Sequence, residues 1–155
     1  MRDAGPTRRA VLGTAVAATI AVTVAGCDDG GDSEQGSREA DRPARERAYA
    51  TTAALLARYD TAAVRDPAVG RVVRPLSGEL REHLALFAGS GKPATPTAPP
   101  ADTSDASAAA LADGAQQASD ERLTGIADVS PDLARRLAST AACLAGHARL
   151  LRSAP

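Results

Sequence analysis

Six residues near the C-terminus limit the fold most. Leu133, Leu137, Thr140, Leu144, His147 and Leu151 follow one another in alternating steps of four and three, the seam spacing of helices that pack against each other. Ser130-Pro131-Asp132 stands just ahead of them. It supplies a capping hydroxyl, a proline suited to the first helical position, and an acid where the helix dipole favours one. A helix with a single apolar seam buries that seam against other helices. Ala142 and Gly146 lie four apart, so a neighbour is expected to approach closely there.

The rest of the chain supplies the neighbours. Tyr49, Thr52, Leu55, Leu56, Tyr59 and Ala63 form one stripe of a helix expected over 43–65. Asp66-Pro67 then reads as an N-cap and first turn. Val69, Val72, Val73, Leu76, Leu80, His83, Leu84 and Phe87 share a face over 67–88. Pro75 within that run predicts a kink, or two shorter helices. Gly89 to Thr103, with Pro93, Pro96, Pro99 and Pro100, reads as a loop or disordered crossover. A third helix is expected over 104–126, with Ala108, Leu111, Ala112, Ala115, Ala118, Ser119 and Leu123 on its face. Tyr49, Tyr59 and Phe87 are the only aromatic residues, and Ala, Leu, Arg and Glu dominate, which favours helix over sheet. The expected fold is all-α: a four-helix bundle over 44–153, up-down, with a long crossover between its second and third helices.

The N-terminus reads as a separate unit. Arg2, Arg8 and Arg9 precede an uncharged run from Ala10 to Gly26. This is the pattern of a signal peptide; an uncleaved membrane anchor is the alternative, but the run is short for one. Thr7-Arg8-Arg9-Ala10-Val11-Leu12 resembles the twin-arginine export motif, with Arg8 and Arg9 as the recognised pair; the general secretory route is the alternative. Val24-Ala25-Gly26-Cys27 resembles the lipobox of bacterial lipoproteins. The resemblance implies cleavage after Gly26 and a diacylglyceryl thioether on Cys27. Residues 1–26 would then be the signal peptide and 27–43, rich in Asp, Gly, Ser and Arg, a flexible tether. Localisation would be at the cell membrane, lipid-anchored on the extracytoplasmic face.

Removal of Arg2, Asp3, Arg8 and Arg9 with the signal takes the formal net charge from −1 to −3. Nothing in that balance points to nucleic acid as a partner. With Cys27 lipidated, Cys143 has no partner for an intrachain disulfide, so stability must come from packing.

His83 and His147 lie on the apolar seams of the second and fourth helices, where a bundle can bring them together. On helix number, crossover position and these two histidines, residues 44–152 resemble the ferritin-like superfamily, in particular degenerate actinomycete members. The resemblance implies a di-metal centre built from one Glu on each of two helices and Glu-x-x-His on the others. The residues depart from it. Glu79 is four before His83, and Glu82 is one before it. Leu144 stands where a Glu is needed; the first helix offers Tyr49 and Thr52, and the third only Glu121. No metal or other cofactor is expected, His83 and His147 being the weak candidates. Cys143 is one turn before His147, so a nucleophilic pair is conceivable, although a free Cys also serves as a small buried apolar residue. Glu79, Arg81 and Glu82 read as a solvated face. No phosphate loop, serine elbow or zinc spacing is present. The sequence therefore predicts a non-enzymatic helical interaction module acting on an envelope protein. The alternative is a ferritin-like protein with residual metal or small-ligand binding in its core.

Overall fold

The structure, a computed structural model, describes residues 30–88 and 106–154, with side chains from residue 36 onward. Arg8, Arg9, Val24, Ala25, Gly26 and Cys27, and the whole of the expected crossover from Gly89 to Thr103, lie outside the described residues. Among those described there are four α-helices and no strand: α1 Gly30–Arg65, α2 Pro67–Phe87, α3 Ala108–Leu123 and α4 Pro131–Arg152. A 3-10 turn, Ile126–Asp128, joins α3 to α4. None of these helices is long and apolar enough to cross a membrane.

Local chemistry sets most of the helix ends. The Asp66 carboxylate accepts from the backbone N–H of Ala68 at 2.7 Å and of Val69 at 3.3 Å, and Pro67 follows at the first helical position. Ser107 accepts from the Ala110 N–H and Ser130 from the Leu133 N–H. Gly125, at φ 73°, turns the chain after α3 through the left-handed region that favours glycine. α2 runs through Pro75 as one helix rather than two, with Pro75 at the exposed surface.

α1 begins at Gly30, well before the expected start near Pro43. Asp41, expected in the tether, is 7% exposed and bonded to Ser130 at the start of α4. The folded unit thus reaches back at least to Asp41. A tertiary contact there outweighs the poor helix propensity of a Gly- and Ser-rich stretch.

The helices pair as two antiparallel hairpins, α1 with α2 and α3 with α4. Arg58 bonds to the Ala110 carbonyl and Arg122 to Thr52, so α3 runs antiparallel to α1. Glu79 meets His147 while Arg136 reaches the Leu86 carbonyl, so α4 runs antiparallel to α2. α2 therefore ends and α3 begins at opposite ends of the bundle.

All six α4 seam residues are buried. α3 departs from expectation at its end: Leu123 is 49% exposed, and Arg122 is buried at 3%. The phase set by Leu111, Ala115 and Ala118 reaches Arg122, not its neighbour. Ala142 and Gly146 are also exposed, with open space beside Gly146. The close approach occurs instead at the α1–α2 hairpin, where a Cβ on Gly70 would sit 2.9 Å from the Ala63 carbonyl oxygen.

Two apolar clusters make the core. One contains Leu55, Tyr59, Val73, Leu80, Leu111 and Leu144; the other contains Ala48, Phe87, Leu133 and Leu137. Among the described residues, eight polar side chains are buried with them, two on each helix: Asp41 and Thr52, Ser77 and His83, Ser119 and Arg122, Thr140 and His147. Of these, Thr52, His83 and Arg122 group together as a polar layer.

Candidate functional site

The polar layer rests on Arg122. Its guanidinium donates to the Thr52 hydroxyl and stacks over the Phe87 ring, 5.6 Å from the centroid. Its Nε and Nη1 are buried without an acceptor, and burial lowers its pKa to about 10. His83 lies in the same layer with Nδ1 unpartnered. Burial, and then the Arg122 charge, depress its pKa to about 4, so the ring is neutral at pH 7.

The second constellation lies where α2 crosses α4. The Cys143 thiol donates to Glu79 Oε2 at 2.9 Å. His147 Nε2 lies 3.0 Å from the same oxygen and 3.6 Å from Cys143 Sγ. With Nε2–H donating to Glu79, Nδ1 becomes the acceptor, and it is buried with no donor. The Tyr59 ring lies 6.0 Å from that of His147, and its hydroxyl is likewise buried and unpartnered. His147 is almost fully enclosed while Glu79 is half exposed at 48%.

The electrostatics follow from that geometry. The hydrogen bond from Cys143, and then that from His147, hold the Glu79 carboxyl below its usual range. The same arrangement opposes ionisation of the thiol: burial first, then the hydrogen bond and charge of Glu79, push Cys143 up to about 12. A nucleophilic cysteine needs the reverse, a thiolate stabilised by positive charge.

Sequence reasoning placed His147 on the seam and paired it with Cys143, and both ring and thiol are where it put them. Glu79 is exposed, as a solvated-face residue should be, but its bonds to Cys143 and His147 were not expected. His83 and His147 share the interior, but no hydrogen bond joins them; His147 turns to Glu79 and His83 to the Arg122 layer. The available sequence signal was the pair of i, i+4 spacings, Glu79 to His83 and Cys143 to His147. Neither reports which helix faces which.

A pocket of about 400 Å³ borders Arg122, lined also by Ala44, Arg47, Thr51, Val129 and Leu137 among others. It shares no residue with the Glu79–Cys143–His147 group. No protein family, curated protein or solved structure matches the chain.

Proposed function

We propose that this protein is a lipid-anchored, extracytoplasmic helical module that works by contact with another envelope protein and not by catalysis. The anchor rests on Val24-Ala25-Gly26-Cys27 behind Arg8-Arg9, with cleavage before Cys27 and two acyl chains sufficient for stable attachment. The non-catalytic part rests on one observation. The thiol beside an imidazole is wired to a carboxylate that keeps its proton on, so it is a poor nucleophile at neutral pH.

Detergent-phase partitioning tests the anchor. The mature protein is expected in the detergent phase, and Cys27→Ser is expected to remain unlipidated. Processing and membrane retention of Cys27→Ser at wild-type levels would refute it. Replacement of Arg8 and Arg9 by Lys is expected to stop export if the twin-arginine route is used; undiminished export assigns the general route. Pull-down with the lipidated protein from envelope membranes then identifies the partner, and a lack of any partner dependent on the bundle surface would count against the module.

A second reading is binding of a metal or small ligand by the bundle, in the manner of a ferritin-like protein that has lost its di-metal carboxylates. It is favoured by the convergence of Glu79, Cys143 and His147, whose ligand atoms lie within 4.8 Å of one another.

A further inference from the structure

We infer that Glu79, Cys143 and His147 form a site for one divalent transition-metal ion of the zinc class, with its fourth position open to solvent. The inference rests on the second reading above, that the bundle binds a ligand, and is independent of the anchor. It departs from the sequence expectation of no metal, because that expectation weighed Glu79 against His83 and not against Cys143 and His147.

Zinc bonds of about 2.3 Å to sulfur and about 2.0–2.1 Å to nitrogen and oxygen, in tetrahedral array, place the ligand atoms roughly 3.3–3.6 Å apart. Cys143 Sγ and His147 Nε2 are already 3.6 Å apart. Glu79 Oε2 is 2.9 Å from the sulfur and 3.0 Å from the nitrogen, so it must withdraw by roughly 0.3–0.7 Å to reach those separations. As the half-exposed member, it has room to do so. The other two ligands are fixed by the backbone: they lie one turn apart on α4, the spacing at which two side chains share one face.

Donor type narrows the ion. A thiolate with an imidazole selects zinc, cobalt or copper over magnesium and calcium, which want several oxygens. One thiolate and one carboxylate cancel the charge of a divalent ion. Among the described residues the group holds one carboxylate, too few for a di-iron pair.

The proton balance is simple. The ion replaces the Cys143 thiol proton, which leaves to solvent, and a metal–sulfur bond replaces the S–H bond. His147 presents the Nε2 lone pair, so its one ring proton moves from Nε2 to Nδ1. Glu79 exchanges two accepted hydrogen bonds for one metal bond. A water fills the fourth position on the exposed side. The same carboxylate that keeps the empty site's thiol protonated thereby becomes a ligand of the filled one.

The test uses the full chain in detergent, reduced, stripped of metal and titrated with Co²⁺ and then Zn²⁺. Wild type is expected to give a near-ultraviolet thiolate-to-cobalt band that saturates at one equivalent and is displaced by Zn²⁺. Cys143→Ser is expected to lose the band. Glu79→Gln, at a half-exposed position, is expected to keep the band and weaken Zn²⁺ binding by more than about 10-fold, the lower end of the cost of losing even an outer-shell partner. Cys27→Ser is expected to leave the band unchanged, showing that the other thiol is not its source. Wild type that binds neither ion at micromolar concentration overturns both this site and metal binding by the bundle. Binding that survives Cys143→Ser and Glu79→Gln but is lost in His83→Gln overturns this site alone and moves the metal to the Arg122 layer.

Discussion

Asp41 on α1 grips Ser130, the cap of α4, with both carboxylate oxygens. Oδ1 accepts from the Ser130 backbone N–H at 2.9 Å, and Oδ2 accepts from its hydroxyl. That hydroxyl in turn accepts from the Leu133 N–H. One buried carboxylate therefore organises the first turn of a helix far along the chain. Asp41→Ala is expected to destabilise the fold by about 1–3 kcal/mol, since it leaves two part-buried Ser130 donors without their acceptor. Urea midpoints should show Asp41→Ala and Ser130→Ala to be strongly non-additive. A chain that begins at Ala44 should be destabilised to a similar extent, and full stability in that chain would sink the assignment.

Leu144 is fully buried between the hairpins. Leu144→Ala is expected to cost roughly 2–5 kcal/mol. A loss under about 0.5 kcal/mol in equilibrium unfolding, typical of surface positions, would mean that α4 presents a different face.

Two glycines should respond in opposite directions. A methyl on Gly70 meets the Ala63 backbone, which cannot swing aside, so Gly70→Ala is expected to destabilise by about 1–3 kcal/mol. Gly146 is exposed with nothing within 4 Å, so Gly146→Ala is expected to stabilise α4 by up to about 1 kcal/mol. Melting temperatures of the two variants settle the signs.

His83 predicts an acid dependence. Its pKa falls from 6.5 in the unfolded chain to about 4 in the fold, so the unfolded state binds the proton more readily between those values. Stability is then unaffected by His83 above pH 6.5 and declines as pH falls from 6.5 towards 4, by an amount on the order of 2–4 kcal/mol in total. Glu79, whose pKa is lowered from 4.5, acts only below that value. Unfolding free energies at pH 6.5 and 4.5 isolate the histidine, and His83→Gln should flatten the slope between them.

Arg122 carries a charge with two buried nitrogens unmatched. Replacement by an apolar residue of similar length removes that desolvation cost, so Arg122→Met is expected to be neutral or stabilising. Thr52→Val leaves the guanidinium in place without its acceptor and is expected to destabilise by about 1–3 kcal/mol. Chemical denaturation of both variants checks the contrast, and a large loss in Arg122→Met would show that the cation organises the core.

What the sequence disclosed was what is local. The caps at Asp66 and Ser130 and the α4 seam depend on residues within a turn or two, and all are in place. The early start of α1 was hidden because its cause, Asp41 against Ser130, joins residues far apart in sequence. Arg122 was hidden because a charged residue rarely fills a core position. Glu79 was hidden because its partners come from another helix, and nothing in its own neighbourhood distinguishes it from Glu82.

The length of α1 has a mechanical consequence. At about 1.5 Å per residue, its 36 residues reach roughly 54 Å, against about 33 Å for the 22 residues of α4. Since Asp41 marks where α4 begins, the turns from Gly30 to Asp41 project some 16 Å past that end. On the anchored reading, the lipid would sit three residues ahead of Gly30. The bundle would then ride on a stiff mast instead of swinging on a leash, with its Phe87–Leu133 end towards the bilayer and the Asp66 turn pointing outward. Height and heading above the membrane would be set by helix length, so deleting whole turns before Asp41 would lower the domain without changing its fold.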